Sequence, residues 1–444
     1  MFEKSSKRFL FITYYFPPAG GPAVQRIIKI IQYMAKMDWH SIVLTVKNGE
    51  YISLDPNLEK EIPNETEVIR TDIFEPYTFY RRFVGKKADE KIPLAVLSSH
   101  QKTGWKEKIA NTIRANLFIP DARIGWYTYG IKAGIHAVQK YPDIRLIFSS
   151  GPPHTVHLIA RSIAKKTGRP FVADFRDPWL HIDYYHAIKR SPITLAIDKY
   201  LEGKILSEAD AITVVSPGYR DFLIMEHQNI NLERFHIVYN GFDPEVYPQP
   251  RPSPPTDKFT MTYIGNLPNS RFTPAFFSAI SNLQKDNKIN AKSCQINFYG
   301  DVDKFIRDEL SKFHIDDFLH LHDFITHKKA MKKICESNLL LLIINNTPTK
   351  KGIVPGKLFE YLGSGQNILC IGPSDGDSAN ILNETKSGVT FDYSEVERIE
   401  RYIYQQYQKW QKGEWMPLST THINQYKRSE QLKKMLELFN SIIN

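Results

Sequence analysis

Short apolar runs alternate along this chain with segments in which apolar residues return every three to four positions. The first run, KRFLFITYYF at 7–16, is almost continuously apolar, as a strand covered on both faces should be. PPAGG at 17–21 predicts a tight turn. PAVQRIIKIIQYMAKM then places apolar residues at 24, 27, 28, 31, 34 and 35, one stripe of a helix whose first turn accommodates Pro22. HSIVLTV, RLIFSS, PFVADF and AITVVS predict further strands, with HTVHLIARSIAKKTG as a helix among them.

The alternation resumes after residue 258. FTMTYIG, QINFYG, LHLHDF, LLLLII and NILCIG predict strands. Helices are expected from about Pro274, in VDKFIRDELSKF, KKAMKKICES and KLFEYL, near SANIL, and in YIYQQYQKWQ and SEQLKKMLELFNSII. Between the halves, PEVYPQPRPSPPTDK at 244–258 holds six prolines, which no strand or helix interior tolerates. The expected organisation is an N-terminal domain over 1–245, a linker over 246–258 and a C-terminal domain over 259–415. A helical segment over 416–444 is expected to pack back toward the first domain. Strand then helix, repeated in both halves, predicts an α/β protein with two doubly wound parallel sheets.

Composition adjusts this picture only modestly. A chain of 444 residues, 42% hydrophobic and 24% charged, has material for two cores. Cys294, Cys335 and Cys370 are far apart and form no CxxC, so reduced, buried thiols are expected. Lys4, Lys7 and Arg8 before FLFITYYF imitate a signal peptide, but the apolar run is short and meets Pro17 and Pro18. LLLLII at 339–344 is far below the roughly 18 residues of a membrane span. The net charge of +10 is concentrated. Between Arg81 and Arg114, nine basic residues face only Asp89, Glu90 and Glu107, a net of +6 and a candidate interaction patch.

In open parallel sheets, ligands bind beyond the carboxyl ends of the strands. TKKGIVPGKLFEYLGSG at 349–365 occupies such a place, between the strand LLLLII and the helix KLFEYL. A helix start carries partial positive charge and disfavours cations, yet Lys350, Lys351 and Lys357 crowd this one. An anion would complete the charge balance, and phosphate is the natural one. Gly356 lets the backbone approach it, and Glu360, three residues after Lys357 on the same helical face, can accept two sugar hydroxyls. An exposed Lys357–Glu360 ion pair is the plainer alternative.

Other candidates are less specific. PPAGGPA has neither a Walker pattern nor GxGxxG, and Gly20 and Gly21 suit either the approach of a sugar-phosphate or a packing turn. VADFRDPW brings Asp174, Arg176 and Asp177 to a strand end, where an internal Asp–Arg pair is the plainer reading. His320 and His322 share a strand face with no recognisable third ligand, so no metal is expected.

YYFPPAGGPAVQR, SSGPPHTVH, VADFRDPW, VVSPGYRDFL, VYNGFDPEVY, YIGNLPNSRF and PGKLFEYLGSG together resemble, in order and spacing, the family 4 glycosyltransferases. That resemblance covers nearly the whole chain. It implies the GT-B fold, with two Rossmann-like domains facing a central cleft. It implies that Lys357 and Arg271 hold the diphosphate of a nucleotide-sugar donor, with Gly356 and Gly265 beside them, and that Glu360 binds the ribose. Asp177 and then His154 become the catalytic candidates, with Gly20, Gly21, Asp174 and Arg176 in the cleft loops.

The resemblance further implies transfer with retention of anomeric configuration and no cofactor or metal. It implies a glycan or lipid-linked acceptor in cell-envelope polysaccharide or lipopolysaccharide assembly. The location it implies is cytoplasmic, at the inner face of the membrane, with peripheral contact through 81–114. The chain departs from the family pattern at Gly352, where many members carry a second glutamate, at Asn266, where they carry a basic residue, and at Arg176, often a histidine. A nucleotide-sugar 2-epimerase on the same fold is the alternative enzyme. Nucleic-acid binding driven by the positive charge lacks any supporting motif such as an RRM signature.

Overall fold

The computed structural model describes residues 7–51, 53–74, 112, 116–180, 190–228, 230–416 and 421–443. The chain divides into two compact units. The first comprises Met1–Val215, Leu223–Val238 and Leu432–Asn444, and the second Ser216–Phe222 and Tyr239–Gln431.

The first unit is built on a parallel seven-stranded sheet of order β3-β2-β1-β4-β5-β6-β7. Its strands are β1 (Lys7–Ile12), β2 (Trp39–Val46), β3 (Glu67–Thr71), β4 (Ile144–Gly151), β5 (Phe171–Phe175), β6 (Ala211–Val214) and β7 (Phe235–Ile237). Its helices include α1 (Pro22–Lys36), α2 (Tyr127–Lys140), α3 (Thr155–Thr167) and α4 (Pro192–Glu208), and α5 (Pro217–Glu226) is shared between the two units' segments. Order runs outward in one direction from β1 and in the other from β4, so the chain reverses between them. This is the topological switch point at which Rossmann-like sheets open a crevice.

The second unit repeats the plan with six parallel strands in the order β10-β9-β8-β11-β12-β13. They are β8 (Phe259–Ile264), β9 (Cys294–Tyr299), β10 (Leu319–His322), β11 (Leu339–Ile343), β12 (Asn367–Ile371) and β13 (Gly388–Phe391). The helices are α6 (Pro274–Lys285), α7 (Lys304–Leu310), α8 (His327–Cys335), α9 (Gly356–Ser364), α10 (Asp377–Thr385) and α11 (Val396–Gln411), and α12 (Arg428–Ile443) runs on into the first unit. LLLLII shows why a fully buried parallel strand loses polar alternation. Leu339, Leu341 and Ile343 enter the core on one face of the sheet, with Phe259, Phe276 and Phe298. Leu340, Leu342 and Ile344 enter the core on the other, with Leu358, Phe359 and Leu362.

Several elements are absent from the sequence reading, among them β3, β7, β13 and α2. β3, β7 and β13 are short, and β3, β7 and β13 lie at sheet edges, so burial does not impose an apolar run on them. α2 contains Gly130 and Gly134, which lower helix propensity. Both face α3: a Cβ would lie 2.8 Å from the Ile159 Cδ1 atom at Gly130 and 2.2 Å from that of Ile163 at Gly134. Close helix packing, invisible in one sequence, accounts for them.

The proline-rich stretch expected as a linker lies within the second unit, and the chain changes unit between Val238 and Tyr239. Tyr247 is buried and donates its hydroxyl to the Glu360 carbonyl at 2.7 Å, while Arg251 donates to the Ser364 carbonyl at 3.1 Å. Proline excludes regular structure here but leaves these side chains free to pack. At the other end of the chain, Leu432, Met435, Leu438 and Phe439 of α12 join the first unit's core with Phe9, Trp39 and Phe148.

Candidate donor and catalytic sites

In the second unit, β11 pairs with β8 at Leu339–Met261 and Leu340–Thr262, short of the carboxyl ends of both strands. The loops that follow are stitched together beyond that point. Arg271 Nε donates to Asn345 Oδ1 at 2.5 Å, Asn345 Nδ2 to Ser270 Oγ at 3.3 Å, and the Asn346 amide to the Ser270 carbonyl at 3.0 Å. Arg271 also reaches the Asn266 carbonyl, at 3.2 Å. Gly265, at φ +109°, turns the chain away from β8, and its amide is held by the Tyr299 carbonyl at 2.8 Å.

Lys357 projects into this region from α9. Its Nζ is buried, has no hydrogen-bond acceptor, and sits 4.0 Å from the centroid of the Tyr263 ring. Burial lowers its pKa below the ordinary lysine value, and the charge of Arg271 lowers it further, while Tyr263 partly offsets both. A Cβ on Gly265 would approach Nζ to 3.3 Å, so the glycine leaves the ammonium its space. The start of α9 has no side-chain cap and no acidic residue in its first turn, and a Cβ at Gly356 would meet nothing within 4 Å. Free N–H groups, open space and an unsatisfied cation therefore converge at one place.

Glu360 makes no ion pair with Lys357. Its Oε1 accepts from His327 Nε2 at 3.0 Å instead, so the plainer reading of the Lys357–Glu360 spacing does not hold. Lys350 donates to Asn346 Oδ1 at 3.0 Å, and Lys351 pairs with Asp375 at 2.5 Å. At Gly352, a Cβ would lie 2.7 Å from the Tyr219 amide nitrogen and 2.8 Å from the Gly218 carbonyl carbon, and Ser216 Oγ donates to the Gly352 carbonyl at 2.6 Å. The backbone of 216–219 fills the space that a glutamate there would need.

In the first unit, Asp174 at the end of β5 is buried and paired not with Arg176 but with Arg26 of α1, at 3.2 Å. It also accepts from Ser150 Oγ at 2.6 Å and Thr213 Oγ1 at 2.7 Å. These bonds lock β4, β5, β6 and α1 together and assign Asp174 to structure, correcting its expected place in a cleft loop. Arg26 is itself buried. Arg176 donates to the carbonyls of Gly151 and Pro152 at 3.0 and 2.8 Å. Asp177 is exposed. Gly21 has φ +102° and precedes α1, while the Gly20 amide donates to the Ser53 carbonyl at 2.9 Å, so this turn packs on the segment at 53–55.

His154 immediately precedes α3 and is buried, its ring stacked on Trp179 at 4.8 Å and neither ring nitrogen hydrogen-bonded. Burial and the neighbouring His157 push its pKa well below the usual histidine value. His157 stacks on Phe175 at 4.6 Å and shares a 2.7 Å hydrogen bond with Ser149 Oγ. Burial and then Arg176 lower its pKa to about 3. Both imidazoles are neutral near pH 7. The start of α3 differs from that of α9: Asp121 caps it, accepting from the Thr155 amide at 3.0 Å and the Thr155 hydroxyl at 2.8 Å. A carboxylate of the protein already occupies this helix start.

Asp121, Asn345 and His327 were not anticipated, because each comes from a segment distant in sequence and carries no motif. His322 stacks on Tyr299 at 4.4 Å and bonds Asn297 at 2.9 Å. Among the described residues, no three His, Cys, Asp or Glu side chains cluster in a way that could hold a metal. All basic residues of the 81–114 stretch lie outside the described residues. No described helix is long and apolar enough to cross a membrane.

Residues 88–246 match the family model for Glycosyltransferase Family 4. No curated protein matches the sequence. Among solved structures, the chain is similar to a glycosyltransferase from Rickettsia africae ESF-5, with a TM-score of 0.64 and 12% identity over 99% of both chains. It is similar to Anabaena Alr3699/HepE in complex with UDP-glucose, with a TM-score of 0.61 and 12% identity over 98% of this chain and 99% of that one. Sucrose-phosphate synthase from Thermosynechococcus elongatus gives 0.63 and 12% over 98% and 99%. With the two Rossmann-like sheets, the likeness to these solved structures gives the chain the GT-B fold, and residues 88–246 within it carry the family 4 match.

Proposed function

We propose that this enzyme transfers a sugar from a nucleoside diphosphate sugar to a hydroxyl of a glycan or lipid-linked acceptor, and that its second unit holds the donor. The observation that carries the reading is the buried Lys357 ammonium, left without a hydrogen-bond acceptor beside the open start of α9. A diphosphate supplies the missing acceptors and offsets the burial of the charge. Arg271 is the second cation, and Glu360 receives the ribose.

In the reaction, the bond between the anomeric carbon and the phosphate oxygen breaks. The acceptor oxygen bonds to that carbon, and its proton leaves to the departing phosphate. Negative charge grows on the diphosphate, where Lys357, Arg271 and the α9 N–H groups stabilise it more strongly than in the ground state. In the first unit, we assign Asp177 to the positive charge developing at the anomeric carbon. His154, a neutral imidazole, is the hydrogen-bonding group for the reacting sugar. The transfer is proposed to retain configuration and to proceed without a metal. We place it in cell-envelope polysaccharide or lipopolysaccharide assembly, at the cytoplasmic membrane face. The match to family 4 and the likeness to a structure solved with UDP-glucose support the donor class.

The test is a thermal-shift titration with uridine, guanosine, cytidine, thymidine and adenosine diphosphates and their sugar conjugates. At least one should stabilise the wild type, and Lys357→Ala should bind it about tenfold or more weakly, as expected for a lost charge-assisted contact. Absence of stabilisation by every one of them refutes the donor site. Interconversion of a donor sugar without any acceptor would point to a 2-epimerase instead.

A further inference from the structure

We infer that His327 is a positioning residue for the donor nucleotide: it holds the Glu360 carboxylate in the orientation that receives the ribose diol. The inference rests on the donor-site reading above and concerns a residue from a different helix than the one carrying the motif.

His327 is the first residue of α8, and α8 is fixed in place by Ala330, Met331, Ile334 and Cys335, all buried in the second unit's core. The preceding Thr326 caps this helix, accepting from the Lys329 amide at 3.5 Å. The imidazole is thus carried on an anchored backbone. Its Nε2 lies 3.0 Å from Glu360 Oε1. A carboxylate only accepts, so Nε2 carries the proton. Oε2 makes no hydrogen bond to the described residues and is left to accept from a ligand.

Glu360 itself sits one helical turn after Lys357, and its backbone is held as firmly as its side chain. Its carbonyl accepts from Tyr247, and the next residue, Tyr361, accepts the Ile264 amide at 3.0 Å through its hydroxyl. The side chain alone would sample several rotamers, because Glu360 and His327 are both partly exposed. One hydrogen bond from an anchored ring selects among them before the nucleotide arrives, which is preorganisation of a binding group. The direction of the effect follows. Without His327, the ribose must order the carboxylate on binding, whereas contacts to the base and the diphosphate are unchanged.

The experiment measures binding of each ribonucleoside diphosphate that stabilises the wild type, alongside its 2′,3′-dideoxy counterpart, by titration calorimetry. Glu360→Ala should collapse the preference for the ribo form. His327→Ala should weaken the ribo form by about threefold to tenfold, the cost of ordering one side chain, and leave the dideoxy form unchanged. His327→Gln, which restores an N–H donor, should recover most of the loss. The double variant should bind no more weakly than Glu360→Ala, because both act through one carboxylate. Equal loss on both ligands, no loss, or additive loss in the double variant overturns the role of His327. A ribo preference that survives Glu360→Ala, or a wild type that binds no diphosphate, overturns the donor-site reading and this inference with it. The two failures are therefore distinguishable.

Discussion

Lys357 and Asp174 show how differently two buried charges are accommodated. Asp174 is surrounded by Arg26, Ser150 and Thr213, so its burial is offset within the protein. Lys357 has only the face of Tyr263, and burial keeps its pKa below 10.5. Between that lowered pKa and 10.5, the unfolded chain holds a proton that the folded chain has shed, so this group's contribution to stability rises with pH. Diphosphate binding has the opposite sign because it favours the charged ammonium. Affinity should be greatest below the lowered pKa and fall as pH rises through it. Calorimetry from pH 7 to 10, where the diphosphate stays ionised, should show this decline, and Lys357→Arg should flatten it because a guanidinium remains charged. A pH-independent wild type would contradict the assignment. The sequence carried Lys357 and Glu360 as a motif, but their partners, Tyr263 and His327, come from other strands and helices and were not legible.

At the scale of elements, helices with similar sequence signals play different parts. α3 and α9 both follow a strand at a switch point, yet Asp121 caps the first while the second is left open. A capping residue 34 positions away leaves no local trace. α12 is the reverse case, since its apolar stripe announced a packed helix. Its core contacts are specific: Phe439 lies 5.6 Å from the rings of Phe9 and Trp39 and 5.2 Å from Phe148. Phe439→Ala should destabilise the protein by about 3–5 kcal/mol, as large-to-small changes of buried phenylalanine do. Denaturant unfolding would check this, and a loss below about 1 kcal/mol would mean that the helix end contributes little to the core.

At the scale of the whole molecule, two sheets that share one strand order over six strands, the first with a seventh at its edge, are built from unrelated apolar runs, and each opens a crevice where its order reverses. If the second unit binds the nucleotide and the first supplies Asp177, the two functions should separate on mutation. Asp177→Asn should abolish turnover while nucleotide-induced stabilisation persists, and unchanged turnover would remove Asp177 from the chemistry. The sequence by itself determined the strand and helix alternation, the two sheets and the crowding of lysines around the helix start in 349–365. These are legible from local periodicity and from the electrostatics of a helix start. Only the tertiary structure decided which charges are already satisfied. It paired Asp174 with Arg26, turned Lys357 onto Tyr263, gave Glu360 to His327, and left no room for a side chain at Gly352. Those outcomes depend on which distant segments the fold brings within hydrogen-bond reach, and no local pattern encodes that distance.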